Sequence, residues 1–139
     1  MTVTALPTAD SLRERFAPLL EQIGSGAADR DRERRLPHQE VRALAEAGFT
    51  ALTVPLRHGG AGADAATLMR LLIDLGEADS NLPQLLRAHF ALVDDLLHGA
   101  DHACQDDPEP WFARITAGEV FGNASHERST ATVGDLATT

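Results

Sequence analysis

Residues 47–62 read AGFTALTVPLRHGGAG, and the fold turns on what kind of segment this is. A solvated linker has no use for Phe49, Leu52, Val54 and Leu56. A strand would not carry Pro55 at its middle, because proline has no N–H for the ladder. The glycines at 59, 60 and 62 permit positive φ and close backbone approach. The stretch therefore reads as a shaped, partly buried loop between helices, with Val54 and Leu56 anchoring it inward.

Upstream, Leu12, Phe16, Leu19, Leu20 and Ile23 recur at helical spacing, and Ser11 with Glu14 has the form of a capping box. Pro18 lies within that pattern, which leaves either a kinked helix or one that begins later. The run ADRDRERR (28–35) reads as a solvated helix face with i,i+4 pairing such as Asp31 with Arg35. Pro37 suits a first helical position, Val41, Leu44 and Ala45 supply one face, and Gly48 ends the helix.

Downstream, Asp64 suits the N-cap of a helix carrying Leu68, Leu71, Leu72 and Leu75. SNLP (80–83) punctuates. Leu82, Leu85, Leu86, His89, Phe90, Val93, Leu96 and Leu97 then form a continuous apolar stripe. A short helix around Trp111, Phe112 and Ile115 ends at Gly118. From there EVFGNASHERSTATVGDL changes to small, β-branched and turn-forming residues in alternation. The expected architecture is an all-α domain over residues 1–118, followed by the first strand and turn of a truncated β domain over 119–139.

The totals bound the function. With 139 residues and 43% hydrophobic content the chain can build one real core. A net charge of −9 argues against nucleic acid or an anionic membrane as partner. Cys104 is the single cysteine, so no internal disulfide forms and a reducing, cytoplasmic setting is expected. The N-terminal residues lack the apolar core of a signal peptide, and no run approaches the roughly 20 apolar residues of a membrane span.

Few residues carry chemistry on spacing alone. His89 sits seven residues into the apolar stripe, the place of a core histidine with a satisfied ring nitrogen. Asn123 and Ser125 flank Ala124, so on a strand they share a face. HERST (126–130) lacks the second histidine of a zincin motif. Asp95 with His98 lacks a second ligand pair, and His98, His102 and Cys104 lack a fourth ligand. No metal is expected.

Taken in order, the charged helix, LPHQEVRALAEAGFTALTVPLRHGGAG (36–62), LLIDLGEADSNLPQLLRAHFALV (71–93) and WFARITAGEVFGNASHE (111–127) resemble the N-terminal part of the acyl-CoA dehydrogenase superfamily. The resemblance implies a helical N-terminal domain leading into a β-barrel, with a C-terminal helical bundle beyond. Gly-Asn-Ala-Ser-His-Glu (122–127), without the Pro and glycine-rich turn that follow in the dehydrogenases, is most similar to the reduced-flavin monooxygenase branch of dibenzothiophene and alkyl-sulfone monooxygenases. That branch implies oxygenation of a small sulfur-containing or aromatic compound, with FMN or FAD supplied reduced by a flavin reductase, in a homotetramer. It places His89 at the reactive edge of the flavin and Asn123, Ser125 and His126 along the cofactor. The alternatives are an FAD-dependent acyl-CoA dehydrogenase and a non-catalytic helical domain.

Overall fold

The computed structural model describes residues 6–99 and 107–123. Five α-helices form among them: α1 (Ala9–Glu33), α2 (His38–Glu46), α3 (Ala65–Ala78), α4 (Asn81–His98) and α5 (Glu109–Thr116). The all-α expectation holds, and no strand occurs among the described residues. Helix α1 begins earlier than the expected capping box. Thr8 is its N-cap, accepting from the Ser11 N–H at 3.1 Å, and the helix runs through Pro18 rather than starting after it. The side chain of Asp64 caps α3 by accepting from the Thr67 N–H at 2.8 Å. Pro83 falls in the first turn of α4, where its missing N–H has no intrahelical partner to lose. SNLP thus opens α4 instead of breaking the chain.

One core joins α1, α2, α3 and the first half of α4 around Phe16, Leu44, Leu71, Leu75, Leu82 and Leu86, all almost without solvent exposure. Each such side chain contributes about 1.5–3 kcal/mol over its exposed state. Phe49 reaches into it from the loop, edge-on to Phe16 at 5.0 Å and to Phe90 at 6.4 Å. A second cluster gathers Val93 and Leu96 of α4, Phe112 and Ile115 of α5, and Ala51 and Val54. Helix α4 spans both clusters, and the loop of residues 47–63 closes each from the side.

The loop answers the question its sequence poses. It has two single 3-10 turns, Phe49–Ala51 and Leu56–His58, and then folds back on itself. The Ala61, Gly62 and Ala63 N–H groups donate to the carbonyls of Ala51, Val54 and Leu52 at 3.2, 2.9 and 2.8 Å. Gly59 and Gly62 take positive φ. Gly60 lies so close under Val54 that a Cβ there would stand 2.1 Å from the Val54 carbonyl oxygen. Val54 is buried as expected, but Leu56 is 38% exposed. Phe49 and Leu52 are the loop's other anchors, because the turn after Pro55 swings Leu56 outward.

The charged run 28–35 also departs from the expectation of a solvated face. Arg30 is buried. Its guanidinium donates to Asp79 Oδ2 at 2.9 and 3.2 Å, to Glu40 Oε1 at 2.9 Å and to the Ile23 carbonyl at 2.6 Å. The neighbouring charges do stay on the surface, pairing Arg32 with Asp29 and Arg35 with Glu33. Asp79 in turn uses Oδ1 to accept the Asn81 N–H at 3.0 Å, holding the start of α4. Burial opposes ionisation of Asp79, yet its bonds from Arg30 and Asn81 prevail and lower its pKa below the ordinary carboxylate value.

Among the described residues no helix is long and apolar enough to cross a membrane.

Candidate functional site

A groove of about 520 Å³ runs along α4. Its floor is the small-residue face of that helix, Ala88, Ala91 and Leu92, and Trp111 and Phe121 form a facing wall. Arg87, Asp95 and Asn123 supply polar groups, so a mainly apolar slot carries both charges and an amide on its lining. The size falls within the roughly 300–1,000 Å³ common for small-molecule sites.

The wall is held in place by contacts that cross the fold. After Gly118 ends α5, residues 119–123 turn back along α4 without helix or strand geometry. The Phe121 ring meets Trp111 edge-on at 5.5 Å. Arg114 stands 5.0 Å from the Phe121 centroid and 5.4 Å from that of Trp111, and it pairs with Glu119 at 2.6 Å. His58, from the glycine loop, lies against Phe112 at 4.9 Å. The loop therefore fixes α5, and α5 fixes the wall.

His89 lies behind this wall, fully buried. Its Nε2 is 2.9 Å from the Thr50 carbonyl, and its Nδ1 is 3.3 Å from the Phe121 amide nitrogen. A carbonyl only accepts and an amide N–H only donates, so the ring is neutral with its proton on Nε2. Burial lowers its pKa below the ordinary imidazole value, and the bond to Thr50 only partly counters that. Both nitrogens are thus committed to backbone, and the imidazole reaches the groove through the Phe121 ring, which lies nearly parallel to it at 6.2 Å. Asn123 lines the groove and is exposed. Ser125 and His126 lie outside the described residues, as does most of the expected β segment 119–139. The 49–51 turn and Trp111 are parts of the site's frame that sequence spacing did not assign to it.

Thr50 has a buried hydroxyl with no hydrogen-bond partner. Thr50→Val keeps the side chain's shape and removes that unpaired group, so it should stabilise the fold by about 1 kcal/mol. A urea unfolding midpoint lower than that of the unsubstituted chain would contradict this.

The family model for the acyl-CoA dehydrogenase N-terminal domain matches residues 7–119, nearly all of the helical region just described. The chain belongs to the acyl-CoA dehydrogenase family. YdbM of Bacillus subtilis (strain 168), a provisionally named acyl-CoA dehydrogenase, is 25% identical over 118 residues, covering 84% of this chain and 30% of its own length. The provisionally named acyl-CoA dehydrogenase fadE25 of Mycobacterium leprae (strain TN) is 33% identical over 73 residues, 52% of this chain and 19% of that protein. No solved structure matches significantly. The chain thus spans less than a third of the length of either relative. Neither relative supports the monooxygenase branch to which residues 122–127 pointed.

Proposed function

We propose that the chain forms the helical N-terminal part of an FAD-dependent oxidoreductase acting on an acyl thioester, the dehydrogenase alternative rather than the monooxygenase first expected. The family match over residues 7–119 carries this reading, and both relatives bear the name acyl-CoA dehydrogenase. The groove fits one face of a flat aromatic ring system: an apolar floor of Ala88, Ala91 and Leu92, aromatic Trp111 and Phe121 beside it, and the Asn123 amide at the lining. FAD supplies a hydride acceptor when bound. In this reading Trp111 and Phe121 exclude water from one side of the ring system, while Asn123 offers hydrogen bonds to a polar edge. His89, with both nitrogens taken by backbone, holds the wall and transfers no proton. An acyl thioester substrate and self-assembly into a homo-oligomer belong to the same reading.

The reduced-flavin monooxygenase keeps one specific support, the absence of Pro and a glycine-rich turn after Glu127; it would need a flavin reductase as partner. The deciding assay uses the longest reading frame that carries these residues, supplied with FAD. Acyl-CoA-dependent reduction of an artificial electron acceptor is the expected result. Oxygen consumption with reduced flavin and no such dye reduction would replace this reading by the monooxygenase, and inactivity in both would leave a non-catalytic helical domain.

The 139-residue chain by itself should not retain flavin. The groove has a floor and one wall, whereas tight ligand sites bury roughly 70–90% of the ligand surface. Leu36, Met69, Ile73 and Leu85 are also exposed, and self-association of the isolated chain is expected. An absorbance scan and light scattering of purified material test this. A monodisperse monomer with stoichiometric flavin would overturn it.

A further inference from the structure

Apart from α5, the groove wall is joined to the rest of the domain by the packing of Val120 against the larger core and, among the described residues, by one hydrogen bond. Trp111 and Arg114 hold Phe121 from α5 itself. The hydrogen bond is the Phe121 amide on His89 Nδ1, with Nε2 of the same ring bound to the Thr50 carbonyl of the glycine loop. One imidazole thus ties together three segments that are distant in sequence: the 49–51 turn, α4 and residues 119–123.

We propose that His89 is a positioning residue, a neutral bridge between the Thr50 carbonyl and the Phe121 amide that fixes Phe121 as the wall of the α4 groove. The bridge exists in one protonation state. An imidazolium carries N–H on both nitrogens, so its Nδ1 would confront the Phe121 N–H donor to donor and the wall would lose this hydrogen bond to α4. Among the described residues no charged group stands against the ring to stabilise such a cation. The 49–51 turn carries no titratable side chain. On α4, Arg87 and Asp95 line the groove while His89 faces the core. Arg114 of α5 is engaged by Glu119 of the wall segment, and Glu109 of α5 lies by His58 of the loop. Burial keeps the docked ring neutral.

The direction of the pH effect follows. The docked ring has a lowered pKa, whereas a released ring titrates at its ordinary value of about 6.5. The released state therefore binds more protons below that pH. Docking is at full strength above about pH 6.5 and weakens as pH falls from there toward the lowered docked value. Within this window the released fraction rises by at most about tenfold per pH unit. This device is independent of which reaction the groove serves.

Trp111 is the chain's single tryptophan and touches Phe121, so its emission reports the wall directly. In the 139-residue chain, nitrogen-15 spectra should show His89 as the Nε2–H tautomer at pH 7.5. As pH falls below about 6.5, Trp111 emission should shift to the red and Phe121 amide exchange, corrected for its intrinsic pH dependence, should accelerate by up to about tenfold per unit, with the far-ultraviolet helix signal unchanged. His89→Asn keeps an acceptor near Nδ1 but does not titrate, so both acid responses should vanish. The wild-type measurements decide the matter whether or not that variant folds. An Nδ1–H tautomer, a Phe121 amide indifferent to the ring's titration, or a Trp111 shift that coincides with loss of helix would each overturn the proposal.

Discussion

Gly60→Ala should cost on the order of 4 kcal/mol, a large share of the roughly 5–15 kcal/mol that a domain has in total. The added methyl would stand 2.1 Å from the Val54 carbonyl oxygen and 2.4 Å from the Val54 Cβ, where carbon contacts normally settle at about 3.5–4.0 Å. Neither obstacle is the free end of a side chain. The Val54 carbonyl also accepts the Gly62 N–H, and the Val54 side chain is buried in the second cluster. Relief would open the turn and withdraw Val54 from Phe112 and Ile115. Gly59 provides the control. Its φ of +85 disfavours a side chain, but the nearest atom to an added methyl is a Thr116 methyl at 3.7 Å, so Gly59→Ala should cost only about 1–2 kcal/mol. Urea midpoints of the two variants test the order. Equal losses would mean that the backbone crossing at Gly60 is not as tight as described.

Arg30→Met should destabilise the chain by about 3–5 kcal/mol, because it strands buried carboxylate without its cation. Asp79 has a side chain 5% exposed and Glu40 one 16% exposed, and both face the same guanidinium. The acid limb of the stability curve supplies a second readout. Asp79 titrates below its ordinary value in the folded chain. Its contribution is therefore complete above about pH 4 and lost as pH falls through the lowered value. In Arg30→Met that acid-dependent loss should shrink, and the difference between variant and parent should narrow toward low pH as Asp79 becomes neutral. A difference that is small at pH 7, or unchanged at pH 3, would assign Arg30 to packing alone.

Much of the fold was legible because helical periodicity reports burial directly. Leu82, Leu86, Phe90 and Val93 lie where their spacing puts them, and the Asp64 cap forms as its sequence position implies. Arg30 was missed for a physical reason. Composition marks residues 28–35 as a surface run, and only the phase of the helix singles out one member. The signal was present: Arg30 lies seven residues after Ile23, on the buried side that carries Leu12, Phe16 and Leu20. Long guanidinium side chains can follow an apolar stripe inward when carboxylates wait at its end, but no local pattern names Asp79 as the partner 49 residues away. His89 shows the same limit. Its burial follows from the stripe, while its two backbone partners come from a loop 39 residues earlier and a segment 32 residues later. The groove itself is a product of that assembly, so Asn123 was legible as a polar candidate and Trp111 was not.

The division of the interior into two clusters has a consequence for how the chain assembles during synthesis. The buried members of the first cluster end at Phe90, but Ala51 and Val54 belong to the second and depend on Phe112 and Ile115. At about 5–20 residues per second, the about 60 residues separating Val54 from Phe112 take roughly 3–12 s to be made. Through that interval the glycine loop has its turn but not its cover. A helix of eight residues near the end of the region thus decides when the loop's apolar side leaves water, and a ribosome pausing before Trp111 prolongs the exposure of Val54, Val93 and Leu96 while the larger core is already closed.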